Sequence, residues 1–315
     1  IPTNRNPTNL FKNRASLPEQ TGFTAQIYAD QAIDWLTSRA GHAPFFLMLS
    51  MAEPHTPIEN PDAMNAKYSD YTRGVVIPIP SGEAQIPKDK LIPRGPGEYY
   101  ANIDYLDVQL GRVLDFLDAA NLAQDTIIVF ASDNGPVTRD WLTWYEVNAY
   151  GSTGGLRGRK HFLHEGGIKV PAMIRYPGRL PAGIRSNQLM IGTDWFATLL
   201  SLAGVPVPKD RPIDSIDMSF ALTQPKQSAP RLLHWALPTP TGLDFAVREG
   251  SLKLLISRTG EPQELFDLQA DPLELFNLIS TEPAITARLL AHHHDILQRV
   301  NADPLLRRHP ARAQP

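Results

Sequence analysis

A group of polar side chains that could bind a cation follows an apolar stretch near the middle of the chain. Residues 126–136 read TIIVFASDNGP, in which β-branched and aromatic residues give way to Asp133 and Asn134. Such a stretch predicts a strand buried on both faces, as in a parallel sheet. The oxygens of Asp133 and Asn134 at its carboxyl end suit a hard divalent cation, calcium or alternatively magnesium. Asp-Asn-Gly also forms turns readily, so a simple turn is the alternative interpretation.

His55 and Lys160 are two further residues whose surroundings suggest chemistry. His55 lies between two prolines, just after the apolar segment PFFLMLS (44–50). Prolines restrict the backbone, and an imidazole on a stiff loop can transfer a proton. Lys160 ends the sequence GGLRGRK (154–160), whose glycines permit a close backbone approach to a ligand while the ammonium neutralises an anion. The structural alternatives are an exposed histidine and a solvated basic loop.

Aromatic residues and histidines near these positions could contact a substrate. Trp141 and Trp144 follow the Asp-Asn pair and could stack on sugar or aryl rings, or could simply pack the loop. His161 and His164 flank Lys160 and could line a pocket.

The elements that must position these residues alternate between helix and strand. The apolar spacing predicts helices over 24–40, 98–120 and 193–203, and strands over 44–50, 126–130 and 170–176. This alternation predicts an α/β fold with a doubly wound, mostly parallel sheet flanked by helices. We assign this incomplete domain to residues 1–225.

The remaining residues, 226–315, predict a small α+β subdomain with an antiparallel sheet. The segment TQPKQSAP (223–230) has the composition of a linker. Strands are predicted over 232–236, 245–248, 252–257 and 264–267, and a helix over 283–301. The three consecutive histidines 292–294 on that helix point in different directions, so we expect them at the surface.

Composition excludes several classes of protein. The 315 residues include 30 Lys and Arg against 33 Asp and Glu, without a basic stripe that would indicate a nucleic-acid partner. No apolar run approaches the roughly 18 residues that a membrane span requires. The chain has no cysteine, which excludes disulfides and thiolate metal sites. The sequence does not indicate an oligomeric state.

Taken together, these motifs resemble one family, the type I or formylglycine-dependent sulfatases of the alkaline phosphatase superfamily. The resemblance covers residues 24–278. The matching stretches are PFFLMLSMAEPHTP (44–57), YYANIDYLDVQLGRVLDFLD (99–118), DTIIVFASDNGP (125–136), GGLRGRKHFLHEGGIKVPAMIRYPG (154–178), FAVREGSLKLLIS (245–257) and ELFDLQADPLELFNL (264–278).

The resemblance implies a sulfuric ester hydrolase of the arylsulfatase type. Asp133 and Asn134 match the family's two later calcium ligands. Lys160 matches the lysine that binds the sulfate oxygens, and His55 matches the histidine that protonates the leaving alcohol. The expected partner is a sulfated small molecule or glycan, contacted also by the two tryptophans and the two histidines beside Lys160. A periplasmic or secreted location is the family expectation.

One part of the family pattern is missing from this sequence. The family's nucleophile is a formylglycine made from Cys or Ser in a C/S-x-P-x-R motif, and the chain contains neither form of that motif. We therefore expect this chain to be the later portion of a sulfatase. Alone, it should be inactive and should expose a sheet edge and apolar surface. The alternatives are a phosphonate or phosphate ester hydrolase of the same superfamily and a non-catalytic glycan-binding pseudoenzyme.

Overall fold

The computed structural model describes residues 4–39, 43–71, 96–137, 150–224 and 231–302. Contacts divide the chain into two compact units, residues 1–126 with 136–152 and residues 127–135 with 153–315. This division differs from the predicted boundary between residues 225 and 226. That boundary stays a prediction, because residues 225–230 lie outside the described residues.

The first unit is built around two long helices. Its elements are the short strands β1 (Phe11–Lys12) and β2 (Ala15–Ser16) and the helices α1 (Thr24–Arg39), α2 (Asp62–Lys67) and α3 (Pro96–Ala119). Helices α1 and α3 confirm the predictions over 24–40 and 98–120. They pack on one another, and small or apolar side chains line their inner faces: Ala25, Ala29 and Leu36 on α1, and Ala101, Val113 and Leu117 on α3.

The strand predicted over 44–50 is wrong for the part of the chain that the structure describes. The segment forms no strand there, because none of the described strands pairs with its backbone. Its side chains alternate between half-buried and exposed, and Phe46 and Met48 are 79% and 77% exposed. This agrees with the expectation of exposed apolar surface.

In the second unit, strands β3 (Ile128–Ala131) and β4 (Ala172–Arg175) lie where the sequence predicts strands. They pair in antiparallel register, with Ile128 opposite Arg175. The expectation of a parallel neighbour is therefore wrong for this pair, and so is burial on both faces, since the residues of β3 are half-buried or exposed. An apolar run specifies a strand, but it does not specify the direction of the neighbouring strand.

Three short helices follow in this unit, α4 (Glu165–Ile168), α5 (Asp194–Leu202) and α6 (Ser219–Thr223). Helix α5 confirms the helix predicted over 193–203. Its first residue, Asp194, is fully buried and accepts a hydrogen bond of 2.8 Å from the guanidinium of Arg231. Among the described helices, none is both long and apolar enough to cross a membrane.

The end of the chain forms the predicted antiparallel sheet with one helix. The strands β5 (Leu232–Ala236), β6 (Phe245–Glu249), β7 (Leu252–Ile256) and β8 (Pro262–Asp267) pair in chain order, and helix α7 (Pro283–Ala302) follows. Because side chains alternate along a strand, the sheet presents two faces. One face packs on α7 through Val247, Leu254, Ile256, Leu265 and Leu289. On the other face, Ala246, Leu255 and Phe266 pack with Leu163, which lies in a loop outside the sheet.

A buried histidine pair joins α7 to this sheet. His293 is 1% exposed, and its Nδ1 lies 3.0 Å from Nε2 of His234 on β5. The surface position expected for residues 292–294 is therefore wrong for His293, because this residue faces the sheet. Burial, reinforced by the charges of His234 and His294, lowers the pKa of His293 from 6.5 to about 4.

The low pKa of His293 predicts that acid weakens the docking of α7. Between pH 6.5 and about 4, His293 is protonated in the unfolded chain but neutral in the folded chain. Its contribution to the free energy of unfolding is therefore complete above pH 6.5 and is lost as the pH falls toward 4. His293→Asn keeps an acceptor near Nδ1 but does not titrate. We expect this variant to lose less unfolding free energy than the unmodified chain between about pH 7.5 and about pH 5, measured by urea unfolding.

The control for this comparison is His294→Asn, at an exposed position on the same helix. It should keep most of the pH dependence of the unmodified chain, because the charge of His294 is the smallest of the three causes of the low pKa of His293. An identical pH dependence in all three proteins would contradict the assignment to His293.

Candidate functional site

Asp133 and Asn134 lie in a tight turn directly after β3. Oδ1 of Asp133 accepts a hydrogen bond of 2.9 Å from the backbone N–H of Asn134, and the Asn134 side-chain amide donates to the carbonyl of Gly135 at 2.8 Å. These hydrogen bonds are typical of a simple Asp-Asn-Gly turn, which is the alternative interpretation of this sequence. Asp133 itself is exposed. Within the described residues, its Oδ2 and Oδ1 of Asn134 make no hydrogen bond.

These two oxygens are of the type that binds a hard cation, but two ligands are too few for a calcium site. Calcium takes about six to eight oxygen ligands. Among the described residues, no group of three His, Cys, Asp or Glu side chains could hold a metal ion. Asp133 and Asn134 can therefore supply only part of a coordination shell, and their role as calcium ligands stays a prediction.

The turn after β3 is bonded directly to the segment that follows Lys160. The N–H of Gly135 donates to the carbonyl of Gly167 at 2.9 Å, and the N–H of Gly166 donates to the carbonyl of Arg157 at 2.7 Å. A Cβ atom at Gly135 would lie 1.9 Å from the carbonyl oxygen of Gly166. Glycine is therefore required where these backbones meet.

Lys160 lies half-buried in the loop 157–167, which we call the lysine loop. Among the described residues it makes no ion pair with a carboxylate. Burial, and then the charge of Lys160, lower the pKa of the neighbouring His161. Lys160 therefore presents an ammonium beside a neutral imidazole, and such a cation is available to an anionic ligand.

One carboxylate on β8 contacts two residues of the lysine loop, one at its start and one near its end. Glu264 accepts from the Arg157 guanidinium at 2.9 Å and lies 2.9 Å from Nε2 of His164. Burial alone would raise the pKa of Glu264, but the hydrogen bonds from His164 and Arg157 outweigh burial and hold the pKa below its ordinary value. His164 is itself buried in this bridge, an arrangement that supports the loop, and its predicted substrate contact stays a prediction.

Three supporting residues are missing from the sequence-based site. Glu165, Lys253 and Glu274 form a buried ionic cluster beneath the lysine loop. The signal in the sequence is a lysine within the apolar strand LKLLI, since a lysine is almost never fully buried unless it is paired. Burial alone would raise the pKa of Glu165, but Lys253 and Arg248 outweigh burial and lower it.

His55 belongs to the first unit, whereas Asp133 and Lys160 belong to the second. Its Nδ1 lies 2.7 Å from the carbonyl oxygen of Thr56. A carbonyl can only accept, so Nδ1 carries the proton and Nε2 is the nitrogen left for proton exchange. The predicted substrate-contacting residues Trp141 and Trp144 lie outside the described residues.

Two buried side chains hold the His55 loop in place. The amide of Asn4 donates to the carbonyl of His55 at 3.2 Å and to that of Pro57. Oε1 of Glu53 accepts from the Thr24 hydroxyl at 2.7 Å and from the first-turn N–H of Ala25 at 3.0 Å. The start of α1 thus anchors the loop that presents the imidazole.

The contact at Gly135 gives a direct test of this packing. Gly135→Ala would force the Asp133–Asn134 turn away from the lysine loop, and we expect it to destabilise the protein by about 1–3 kcal/mol through overpacking. Gly192→Ala is the matched control, because a Cβ there meets nothing within 4 Å. Urea unfolding of both variants measures the difference, and equal stabilities would contradict the observed contact.

Comparison with known proteins places this arrangement in a family. The sulfatase family model matches residues 2–205, and the model described as N-sulphoglucosamine sulphohydrolase, C-terminal, matches residues 158–302. The two matches together include both units and the strands and loops described above.

Characterised relatives share part of the chain. A choline-sulfatase of Rhizobium meliloti is 33% identical over 57% of this chain and 32% of its own length. An N-acetylgalactosamine-6-sulfatase of Canis lupus familiaris is 30% identical over 69% of this chain and 34% of its own length. An arylsulfatase of Clostridium perfringens is 27% identical over 80% of this chain and 53% of its own length. The chain thus spans about a third to a half of these relatives.

Solved structures share the fold. The crystal structure of Ps i-CgsB matches with a TM-score of 0.71 and 23% identity, over 92% of this chain and 58% of that protein. A protein solved with its substrate D-glucosamine-2-N,6-O-disulfate matches with a TM-score of 0.71 and 17% identity, over 96% of this chain and 74% of that protein. The α/β fold class predicted from the sequence is confirmed, and the chain belongs to the sulfatase family.

Proposed function

We propose that this chain forms part of a sulfuric ester hydrolase that releases sulfate from a sulfated carbohydrate. The observation that carries the proposal is the direct bonding of the Asp133–Asn134 turn to the lysine loop, through Gly135 and Gly167. It joins a pair of oxygen ligands to a loop whose ammonium has no carboxylate partner among the described residues. A sulfate ester needs both kinds of group, because negative charge grows on its oxygens as the ester bond breaks.

In this proposal Lys160 binds the sulfate oxygens. Its partial burial weakens competition from water, so the ammonium stabilises developing negative charge more strongly than an exposed one would. The neighbouring His161, with its lowered pKa, stays neutral and can donate a hydrogen bond without adding a second charge.

His55 would protonate the alcohol that leaves. Because Thr56 holds the proton on Nδ1, the ring can carry a second proton on Nε2 and deliver it to the ester oxygen. The clamp formed by Asn4 and Glu53 fixes the loop, which limits the positions that the imidazole can adopt.

The proposed reaction requires a complete calcium site and a nucleophile, and the described residues supply neither in full. Asp133 and Asn134 would be two of the calcium ligands, and a calcium ion would stabilise charge on the sulfate oxygens. A formylglycine would be the nucleophile, and the chain has no C/S-x-P-x-R motif from which to make it. The 315 residues alone should therefore not release sulfate.

The carbohydrate preference is supported by the relatives. An N-acetylgalactosamine-6-sulfatase is among those at 30% identity, and a fold relative is solved with a sulfated glucosamine. The predicted stacking of Trp141 and Trp144 on a sugar ring belongs to this part of the proposal. We further propose a periplasmic or secreted location, which is the expectation for the family.

The test of the function is sulfate release by the natural protein that carries this sequence. We expect turnover of N-acetylgalactosamine 6-sulfate or glucosamine 6-sulfate, followed by ion chromatography of the sulfate formed. Lys160→Ala should lower kcat by about 10²–10³-fold, as removal of one electrostatic stabiliser does. Lys209→Ala, at an exposed position of the second unit, is the control and should leave kcat unchanged.

A higher turnover of phosphonate esters than of sulfate esters would replace this function with the phosphonate hydrolase alternative. Saturable binding of the sulfated sugar without any release of sulfate would indicate the non-catalytic alternative.

The proton-donor role of His55 predicts a dependence on the leaving group. A sugar alcohol needs protonation as it departs, whereas nitrophenol leaves as a stable anion. His55→Ala should therefore lower kcat by about 10²–10⁴-fold for a sugar sulfate but much less for nitrophenyl sulfate. Equal losses on the two substrates would contradict general-acid catalysis and would indicate a purely structural role.

A further inference from the structure

A lysine with no solvent exposure lies in the C-terminal sheet beneath the lysine loop. Lys253 is on β7 and shares its face of the strand with Leu255, which packs on Leu163 of the loop. Burial of an ammonium is costly unless it is both paired and hydrogen-bonded. A charge at this position therefore implies partners that the fold must hold in place.

Two carboxylates meet the Lys253 ammonium. Nζ donates to Oε1 of Glu165 at 3.0 Å and lies 2.9 Å from Oε1 of Glu274. The second contact lacks the geometry of a hydrogen bond, so this oxygen of Glu274 depends on the charge of Lys253. The Arg248 guanidinium lies 3.2 Å from Oε2 of Glu165. Two cations thus balance two buried carboxylates.

Glu274 holds the backbone of Glu165 as well. Its Oε2 accepts a hydrogen bond of 2.7 Å from the Glu165 N–H. Glu274 adopts a φ of +58°, in the left-handed region that residues with a Cβ atom rarely occupy. In this conformation the carboxylate is fully buried while the neighbouring Leu273 and Leu275 are exposed. Glu165 is therefore fixed at its side chain by Lys253 and at its backbone by Glu274.

Glu165 is directly linked to both candidate site segments. The next two residues, Gly166 and Gly167, bond to the carbonyl of Arg157 and to the N–H of Gly135. These contacts leave no space for a side chain, since a Cβ at Gly166 would lie 2.2 Å from the carbonyl oxygen of Gly158. Glu165 is itself a residue of the lysine loop, so its displacement must move the rest of that loop, the Asp133–Asn134 turn, or both.

We propose that Lys253 and Glu274 are positioning residues, which fix the lysine loop so that the Lys160 ammonium meets the sulfate group. This inference rests on the proposed function for the identity of the anion. Neither residue contacts the substrate; each acts through Glu165. Their loss should leave the C-terminal sheet folded while the lysine loop loses its fixed geometry.

The test needs a variant that keeps the buried charges balanced. Lys253→Met alone would leave two buried carboxylates facing each other, so Lys253→Met/Glu274→Gln is the main variant. Glu274→Gln alone keeps the pair of Lys253 and Glu165 and serves as the second variant if the first does not fold. Arg258→Met is the matched control, because it breaks an ion pair with Asp244 in the same unit, and the hydrogen bonds of Arg258 among the described residues go to Asp244, Thr239 and Gly242.

Amide hydrogen exchange measures the positioning without any need for activity. In the double variant we expect the amides of Gly135 and Gly166 to exchange at least about tenfold faster. The amide of Leu278, which donates to Leu265 in the sheet, should change by less than about twofold. The control should change none of them. Equal acceleration at all three amides, or no acceleration at the glycines, would overturn the proposal.

Kinetics of the natural protein that carries this sequence give the second readout. The double variant should lower kcat for a sugar sulfate by about tenfold or more, since misplacement of a catalytic group is costly. Arg258→Met should leave kcat unchanged. An unchanged kcat despite faster exchange at the glycines would overturn the link to Lys160. If the unmodified protein releases no sulfate, the proposed function fails, while the exchange experiment still decides whether Lys253 and Glu274 fix the loop.

Discussion

The ionic cluster of Lys253, Glu165 and Glu274 is the constraint on which the second unit depends. An ammonium without solvent exposure must have its partners within about 3 Å, because water cannot compensate for a lost contact. Lys253 lies in the sheet, Glu274 in the segment after it and Glu165 in the lysine loop. The cluster therefore fixes three parts of the chain that are 88 and 109 residues apart in sequence. Helix α7 packs on the opposite face of the same sheet.

The cations around the lysine loop divide into two roles. Arg157, Arg248 and Lys253 are each matched by a carboxylate and stabilise the fold. Lys160, which has no such partner among the described residues, is the cation that we propose binds the sulfate group. An unpaired ammonium is useful in catalysis only if it is already in position when charge develops, since reorganisation would cost part of the stabilisation. The ion pairs of Arg157, Arg248 and Lys253 fix the surrounding segments, and these segments hold Lys160 in position.

Most elements could be predicted from the sequence because side-chain periodicity reports which face of an element is apolar. The helices α1, α3 and α7 and the four C-terminal strands all lie close to their predicted ranges. Periodicity does not report which segment will cover a face or pair with an edge. For this reason the apolar segment 44–50, which the sequence predicts as a strand, pairs with none of the described strands, and β3 has an antiparallel neighbour. Periodicity also does not predict the burial of His293 and Lys253, because in each case another element covers the side chain.

The candidate site shows the same limit. Asp133, Asn134, Lys160 and His55 stand out because each is a chemically capable residue at a strand end or in a glycine- or proline-rich loop. Glu165 and Glu274 do not stand out, since their importance arises only from contacts made over long sequence separations. Local composition therefore predicts the groups that we propose contact the substrate, while the groups proposed to position them become visible only in the folded chain.

We propose that the lysine loop, held by Lys253, presents Lys160 to a sulfate ester. A crystal structure of the natural protein that carries this sequence, with a sulfated sugar bound, tests the claim most directly. We expect a sulfate oxygen within about 3 Å of Nζ of Lys160, with Glu165 still bonded to Lys253. A sulfate group bound elsewhere, with the Lys160 side chain directed into solvent, would contradict it.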